Sequence, residues 1–87
     1  MKYELKRPLE TIPGVGKSIA KDLEQLGYTE VGDLRGENPE EMYAKLRALR
    51  KMHIDRCMLY VFRSAVYFAS HATHDPELLK WWKWKDR

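Results

Sequence analysis

Residues 9–27 read LETIPGVGKSIAKDLEQLG, and the way this stretch folds decides the architecture of the chain. Ile19, Leu23 and Leu26 fall on one helical stripe, polar residues fill the positions between them, and Gly27 stands where helices commonly end. Upstream, Pro8 suits a first helical position, and Leu9 and Ile12 lie one turn apart. Pro13-Gly14 breaks whatever precedes it. The stretch therefore predicts a short helical turn over residues 8–12, a glycine hairpin, and an amphipathic helix beginning near Gly16. A helix is expected on both sides of IPGVG.

That context decides which phosphate chemistry the glycines can perform. Gly16-Lys17-Ser18 is the ending of a P-loop, but the pattern needs a glycine five positions before Gly16, where this chain has Thr11. Gly14 and Gly16 also open a dinucleotide fingerprint, whose third glycine would fall at Ile19. At 87 residues the chain is too short for the repeated strand-helix units of either nucleotide fold. A hairpin between helices works differently. Gly14 and Gly16 are expected to supply positive φ angles and close backbone approach, while the helix that follows leaves its first N–H groups without intrahelical partners. Those donors and the positive end of the helix dipole suit phosphate oxygens. Lys17, and Lys21 one turn later, add charge on the same face, and Ala20 is small enough for close packing behind the turn.

The remaining elements follow from caps and periodicity. Thr29 is expected to cap a brief helix through Val31 and Leu34, stopped by Gly36. Asn38-Pro39-Glu40-Glu41 combines a cap, a proline at the first helical position and a capping-box glutamate, starting a helix with Met42, Leu46 and Leu49 inside. Asp55 is expected to cap the longest helix, where Met58, Phe62, Ala65 and Ala69 recur at helical spacing, with Val61 and Phe68 alongside, until about His71. Asp75-Pro76 opens a last segment holding Trp81, Trp82 and Trp84 among Lys80, Lys83 and Lys85. No stretch alternates with period two. The expectation is an all-α domain spanning residues 1–87: a compact bundle of five to six short helices, two of them very short, with the hairpin at 8–27 and a Trp-rich segment at 75–87.

Composition bounds the function. With 44% hydrophobic and 33% charged residues the chain has the make-up of an ordinary soluble domain. It has one cysteine, Cys57, so no internal disulfide forms, which fits a reducing compartment, and cytoplasm is the expected location. MKYELKRPLE lacks the apolar block of a secretory signal, and CMLYVFRSAVYFA is interrupted by Arg63 and Ser64 short of the ~20 residues of a membrane span. No membrane association is expected. The net charge of +3 is unevenly laid out. Residues 43–63 carry Lys45, Arg47, Arg50, Lys51, Arg56 and Arg63 against Asp55, whereas residues 22–42 carry seven carboxylates against Arg35. One face turned to a polyanion would explain this, as would ordinary solvated helix faces.

The apolar Ile12, the turn Gly14-Val15-Gly16 and Ala20 four residues on resemble the helix-hairpin-helix motif. That resemblance implies a SAM-like fold and DNA binding without sequence preference, with Gly14, Val15, Gly16, Lys17 and Ser18 facing the sugar-phosphate backbone. Some such hairpins also hold a monovalent cation on carbonyls, which would fall at Glu10, Ile12 and Val15. Together with GYTEVGDLRGENPEEMY, DRCMLYVFRSAVYFA and DPELLKWWKWKD, the whole chain resembles the small bacterial pathogenicity-locus family, often labelled as mitomycin-resistance proteins. More distantly it is similar to the C-terminal domain of competence regulators of the TfoX type. Members of the first family often carry further cysteines, one of them where this chain has Ser64. Strong duplex binders with this motif pair two hairpins. The second would lie at RKMHID (residues 50–55), which has no glycine and offers Arg50, Lys51 and the following Arg56 instead.

Competing readings stay open at this level. The hairpin is also compatible with a plain connector in a SAM-like protein interaction module, whose partner would meet the acidic segment or the tryptophans. His53 with Cys57, and His71 with His74, lack the tight grouping of zinc ligands, and Cys57 reads as a small core residue. No Ser/His/Asp constellation appears, so no enzyme and no cofactor are expected. The tryptophans fit base stacking, a membrane interface or closure of a small core; the last is favoured, with Leu78, Leu79 and at least one indole on the long helix and any exposed indole left for a partner. A monomer or weak homodimer is expected, since a single weak hairpin gains avidity by pairing.

Overall fold

Lys17–Gln25 forms helix α1 in the computed structural model, which describes residues 7–85. The stripe read from the sequence is the side that buries: Leu23 completely, Ala20 nearly so, with Ile19 and Leu26 half-buried at its margins. The helix closes as a Schellman turn, Gly27 donating to the Glu24 carbonyl and Tyr28 to that of Leu23. Helix α2, Pro39–Arg50, starts where Asn38 accepts the N–H groups of Glu40 and Glu41 at 2.9 and 3.3 Å. It ends at Lys51, which takes the left-handed conformation at φ 52°. Helix α3, Cys57–Ser70, is the longest and is apolar on most of its circumference. Such a helix must be surrounded, and α2 and three short 3-10 turns pack on it: η2 (Val31–Leu34), η3 (Pro76–Leu79) and η4 (Trp81–Trp84). A fourth turn, η1 (Leu9–Thr11), packs on α1.

The all-α expectation therefore holds: the described residues contain three α-helices, four 3-10 turns and an isolated bridge between Pro8 and Glu30, with no strand. The count of five to six helices does not carry over directly. The segments at 8–12 and near 31–34 are single 3-10 turns, and the C-terminal segment is two such turns joined at Lys80. Stretches this short cannot complete a costly α-helical nucleus between their glycine and proline stops. No described helix is long and apolar enough to cross a membrane.

Four local expectations are corrected. Glu30, not Thr29, caps η2, exchanging hydrogen bonds with Asp33; Thr29 donates its N–H and hydroxyl to the same Asp33 oxygen. Asp55 does accept the Cys57 N–H, at 2.8 Å, but Arg56 stands between them as the cap position of α3. Leu49 is 59% exposed in the last turn of α2, and Tyr43 fills the interior beside Met42 and Leu46 instead. Cys57 is exposed rather than in the core, since it opens α3 before that helix enters the packed region. Ser64, deep on α3, is buried, with its hydroxyl directed at the Leu78 carbonyl.

The charge asymmetry of the sequence is partly cancelled by this packing. Asp22 on α1 pairs with Arg50 at the end of α2, and Glu40 on α2 pairs with Arg63 on α3 at 2.8 Å. Arg63 also donates to the Trp84 carbonyl at 2.7 Å, tying η4 to the long helix.

Candidate nucleic-acid interface

The glycine turn is held from within. Ile12 and Val15 are 1% and 4% exposed, and burying each contributes on the order of 1.5–3 kcal/mol. The Val15 N–H donates to the Ile12 carbonyl at 3.0 Å across Pro13 and Gly14, whose φ of 87° makes this a type II turn. Because the apolar residues point inward, Gly14, Gly16, Lys17 and Ser18 face outward on a rigid base.

Within the glycine turn, positive φ is confined to Gly14. Gly16 is extended, at φ −93° and ψ −169°, a conformation open to any residue, and a side-chain carbon placed there would meet nothing within 4 Å. Gly16 is the N-cap of α1 and offers no side-chain cap. The N–H groups of Gly16, Lys17, Ser18 and Ile19 consequently have no partner among the described residues. The first helical bond is from Ala20 to the Gly16 carbonyl, at 2.9 Å. The result is an exposed row of donors at the positive end of a helix dipole, with Lys17 and Lys21 exposed beside it. Val15 belongs to the turn by position, but its N–H is already used. Ile12, one of the three carbonyls offered to a monovalent cation with Glu10 and Val15, already accepts that bond.

Chain-distant residues are brought to the same neighbourhood. Ser18, Lys21, Asp22, Glu24, Gln25 and Arg50 line an open hollow of about 660 Å³ between α1 and the end of α2. Arg50 enters it already engaged, paired with buried Asp22 and donating to Gln25 Oε1 through Nε at 3.1 Å and Nη2 at 2.6 Å. Its first task is therefore to join two helices. Lys51 and Arg56 are exposed at either end of the glycine-free loop, whose path is pinned by the Tyr43 hydroxyl donating to the Ile54 carbonyl.

The relation of the tryptophans to the hairpin is the feature that the sequence did not predict. Trp81 is half-buried, and its Cδ1 lies 3.6 Å from the point where a Gly14 side chain would begin. Trp84 packs on Tyr67 of α3, ring centroids 5.5 Å apart, and donates its indole N–H to the Leu78 carbonyl at 2.7 Å. Trp82 remains 53% exposed. The clustering of three indoles with lysines was visible, but no spacing relates residue 81 to residue 14.

His71 and His74 have local structural partners. His71 meets the Tyr67 carbonyl, while His74 meets the Phe68 carbonyl and stacks on the Phe68 ring at 4.6 Å. No group of three or more potential metal ligands occurs among the described residues. The hydrogen bond to Asp55, followed by desolvation, pushes the Cys57 thiol up from its ordinary value.

These features describe a small all-α domain with one uncapped, lysine-flanked helix N-terminus. Residues 3–87 match the model of the Cdd1 family, described as "Pathogenicity locus", and the chain belongs to that family. It is 35% identical over 74 residues to the mitomycin resistance protein McrB of Streptomyces lavendulae, a match covering 85% of this chain and 67% of that protein. No solved structure matches it significantly.

Proposed function

We propose that this protein is a helix-hairpin-helix-type module of the SAM-like class that binds the sugar-phosphate backbone of DNA without reading sequence, and that it has no catalytic activity. The observation that carries the proposal is the open N-terminus of α1: glycine at the cap and, among the described residues, no group that accepts the N–H groups from Gly16 to Ile19. A globular domain gains stability by capping such an end, so leaving it bare in open space favours an external anion. In this reading the backbone amides of Gly16, Lys17 and Ser18 hold one phosphate, Lys17 and Lys21 add mobile charge, and Gly14 and Val15 shape the turn. Lys51 and Arg56 are peripheral contributors, and Arg50, its charge offset by Asp22, contributes least. The segment before the hairpin is a single 3-10 turn among the described residues, so α1 carries most of the motif's role.

The test is fluorescence anisotropy of a labelled DNA duplex at two salt concentrations. The expected Kd is about 10⁻⁴ to 10⁻⁶ M at physiological salt, weakening as salt rises. Lys17→Glu lowers the affinity at least several-fold with unchanged helical content. Equal binding by Lys17→Glu and wild type refutes the hairpin assignment.

A protein interaction module is the second reading, favoured by Leu49 and Met52, which stand 59% and 62% exposed at the end of α2. If these residues mediate pairing, Leu49→Glu with Met52→Glu removes any concentration-dependent mass shift in sedimentation while DNA binding persists.

A further inference from the structure

We infer that Trp82 is a base-stacking shelf beside the glycine turn, and that the preferred ligand is a single-stranded nucleic acid, with a phosphate on the turn and a neighbouring unpaired base on the indole. The inference rests on the hairpin reading above and adds the class of ligand to it.

Trp82 is a large apolar side chain left 53% exposed in a chain that needs its aromatic residues for a small core. Its position is nevertheless fixed. Its ring meets Trp81 edge-to-face, centroids 5.6 Å apart and planes at 89°, and Trp81 in turn lies against Gly14. The turn that carries both indoles is anchored to α3 by the Arg63 bond to the Trp84 carbonyl and by Tyr67 against the Trp84 ring. The exposed indole is thus joined to the glycine turn through Trp81, which touches Trp82 on one side and on the other lies 3.6 Å from where a Gly14 side chain would begin.

The surroundings are cationic. Lys80 and Lys83 both reach Glu77, at 3.0 and 3.3 Å, and hold its carboxyl below the usual range, yet they remain 45% and 47% exposed. With exposed Lys85, three lysines accompany one carboxylate in residues 76–85. An exposed indole in a lysine-rich segment, joined through Trp81 to a turn that leads into backbone amides, is the combination by which single strands are held: stacking on the base, charge along the backbone. Duplex bases are already stacked on one another and can meet the indole only at an end. An apolar protein partner, by contrast, would leave these ammonium groups facing an apolar surface.

The experiment compares a labelled single-stranded oligothymidine with a labelled duplex, using wild type, Trp82→Ala, Trp82→Phe and Lys17→Glu. The expected result is tighter binding of the single strand by wild type. In Trp82→Ala that affinity falls about 5- to 100-fold, with duplex binding changed less than about twofold. Trp82→Phe recovers much of the loss, and Lys17→Glu weakens both probes. Trp82 is exposed, so circular dichroism and Tm of its variants should match wild type. If Trp82→Ala affects neither probe, or both equally, the shelf is overturned and the hairpin reading stands. If Trp82→Ala loses the single strand while Lys17→Glu loses nothing, the hairpin reading falls and the pairing of phosphate and base sites falls with it. Wild type binding neither probe overturns both.

Discussion

Gly16→Asp should make the protein more stable and a worse DNA binder. The residue sits at the N-cap of α1 with φ −93° and ψ −169°, in the extended region that capping aspartates adopt, and a side-chain carbon there meets nothing within 4 Å. The new carboxylate can accept the N–H of Ser18 or Ile19, both without a partner among the described residues. Aspartate exceeds glycine as a cap by a few tenths of a kcal/mol, and its charge at the helix start adds about 0.3–1 kcal/mol. A combined gain of about 0.5–1 kcal/mol corresponds to a Tm rise of about 2–8 °C in a domain of this size. Binding moves the other way, because the carboxylate takes the donors that a phosphate would use and repels it. Hydrogen bonds to a charged group contribute roughly 1.5–3 kcal/mol each, so losing one lowers affinity at least about tenfold. Differential scanning calorimetry and DNA anisotropy on the same preparation read both effects. A variant that is stabilised but binds as tightly as wild type shows that these amides do not hold phosphate. A lower Tm would instead refute the cap geometry.

Three further outcomes are expected. Gly14→Ala forces a side chain into φ 87° and should cost about 1–2 kcal/mol in chemical denaturation, although its 3.6 Å contact with Trp81 is ordinary. Arg50→Ala leaves Asp22 buried without its cation and should cost about 1–3 kcal/mol, with little change in DNA affinity if Arg50 is mainly a helix tie. Burial, and then the hydrogen bond to Glu37, push the Tyr28 hydroxyl up to about 12 from 10.0. Its neutral form is therefore favoured in the folded state, so the contribution is complete below pH 10 and is lost as pH rises toward 12. Tyr28→Phe should flatten that alkaline loss of stability; an unchanged alkaline limb would refute the assignment.

Much of the fold was legible from the chain because its signals are local. The stripe of Ile19, Leu23 and Leu26, the Asn38-Pro39 start and the Asp75-Pro76 start each depend on neighbours within a turn or two, and each appears as read. The misread positions depend on what lies across space. Leu49 continues the periodicity of α2 yet stays exposed, and Cys57 is apolar enough for a core that begins only just after it.

The same division runs through the candidate site. The sequence by itself determined an all-α chain with a glycine turn ahead of an amphipathic helix, because helix periodicity, proline stops and glycine turns act over a few bonds. Only the tertiary structure decided that Gly16 is extended while Gly14 carries the positive φ, that Arg50 is held by Asp22, and that Trp81 lies against Gly14. Those outcomes depend on packing between elements far apart along the chain, where side-chain fit and the pairing of buried charge choose among neighbours that no local spacing distinguishes.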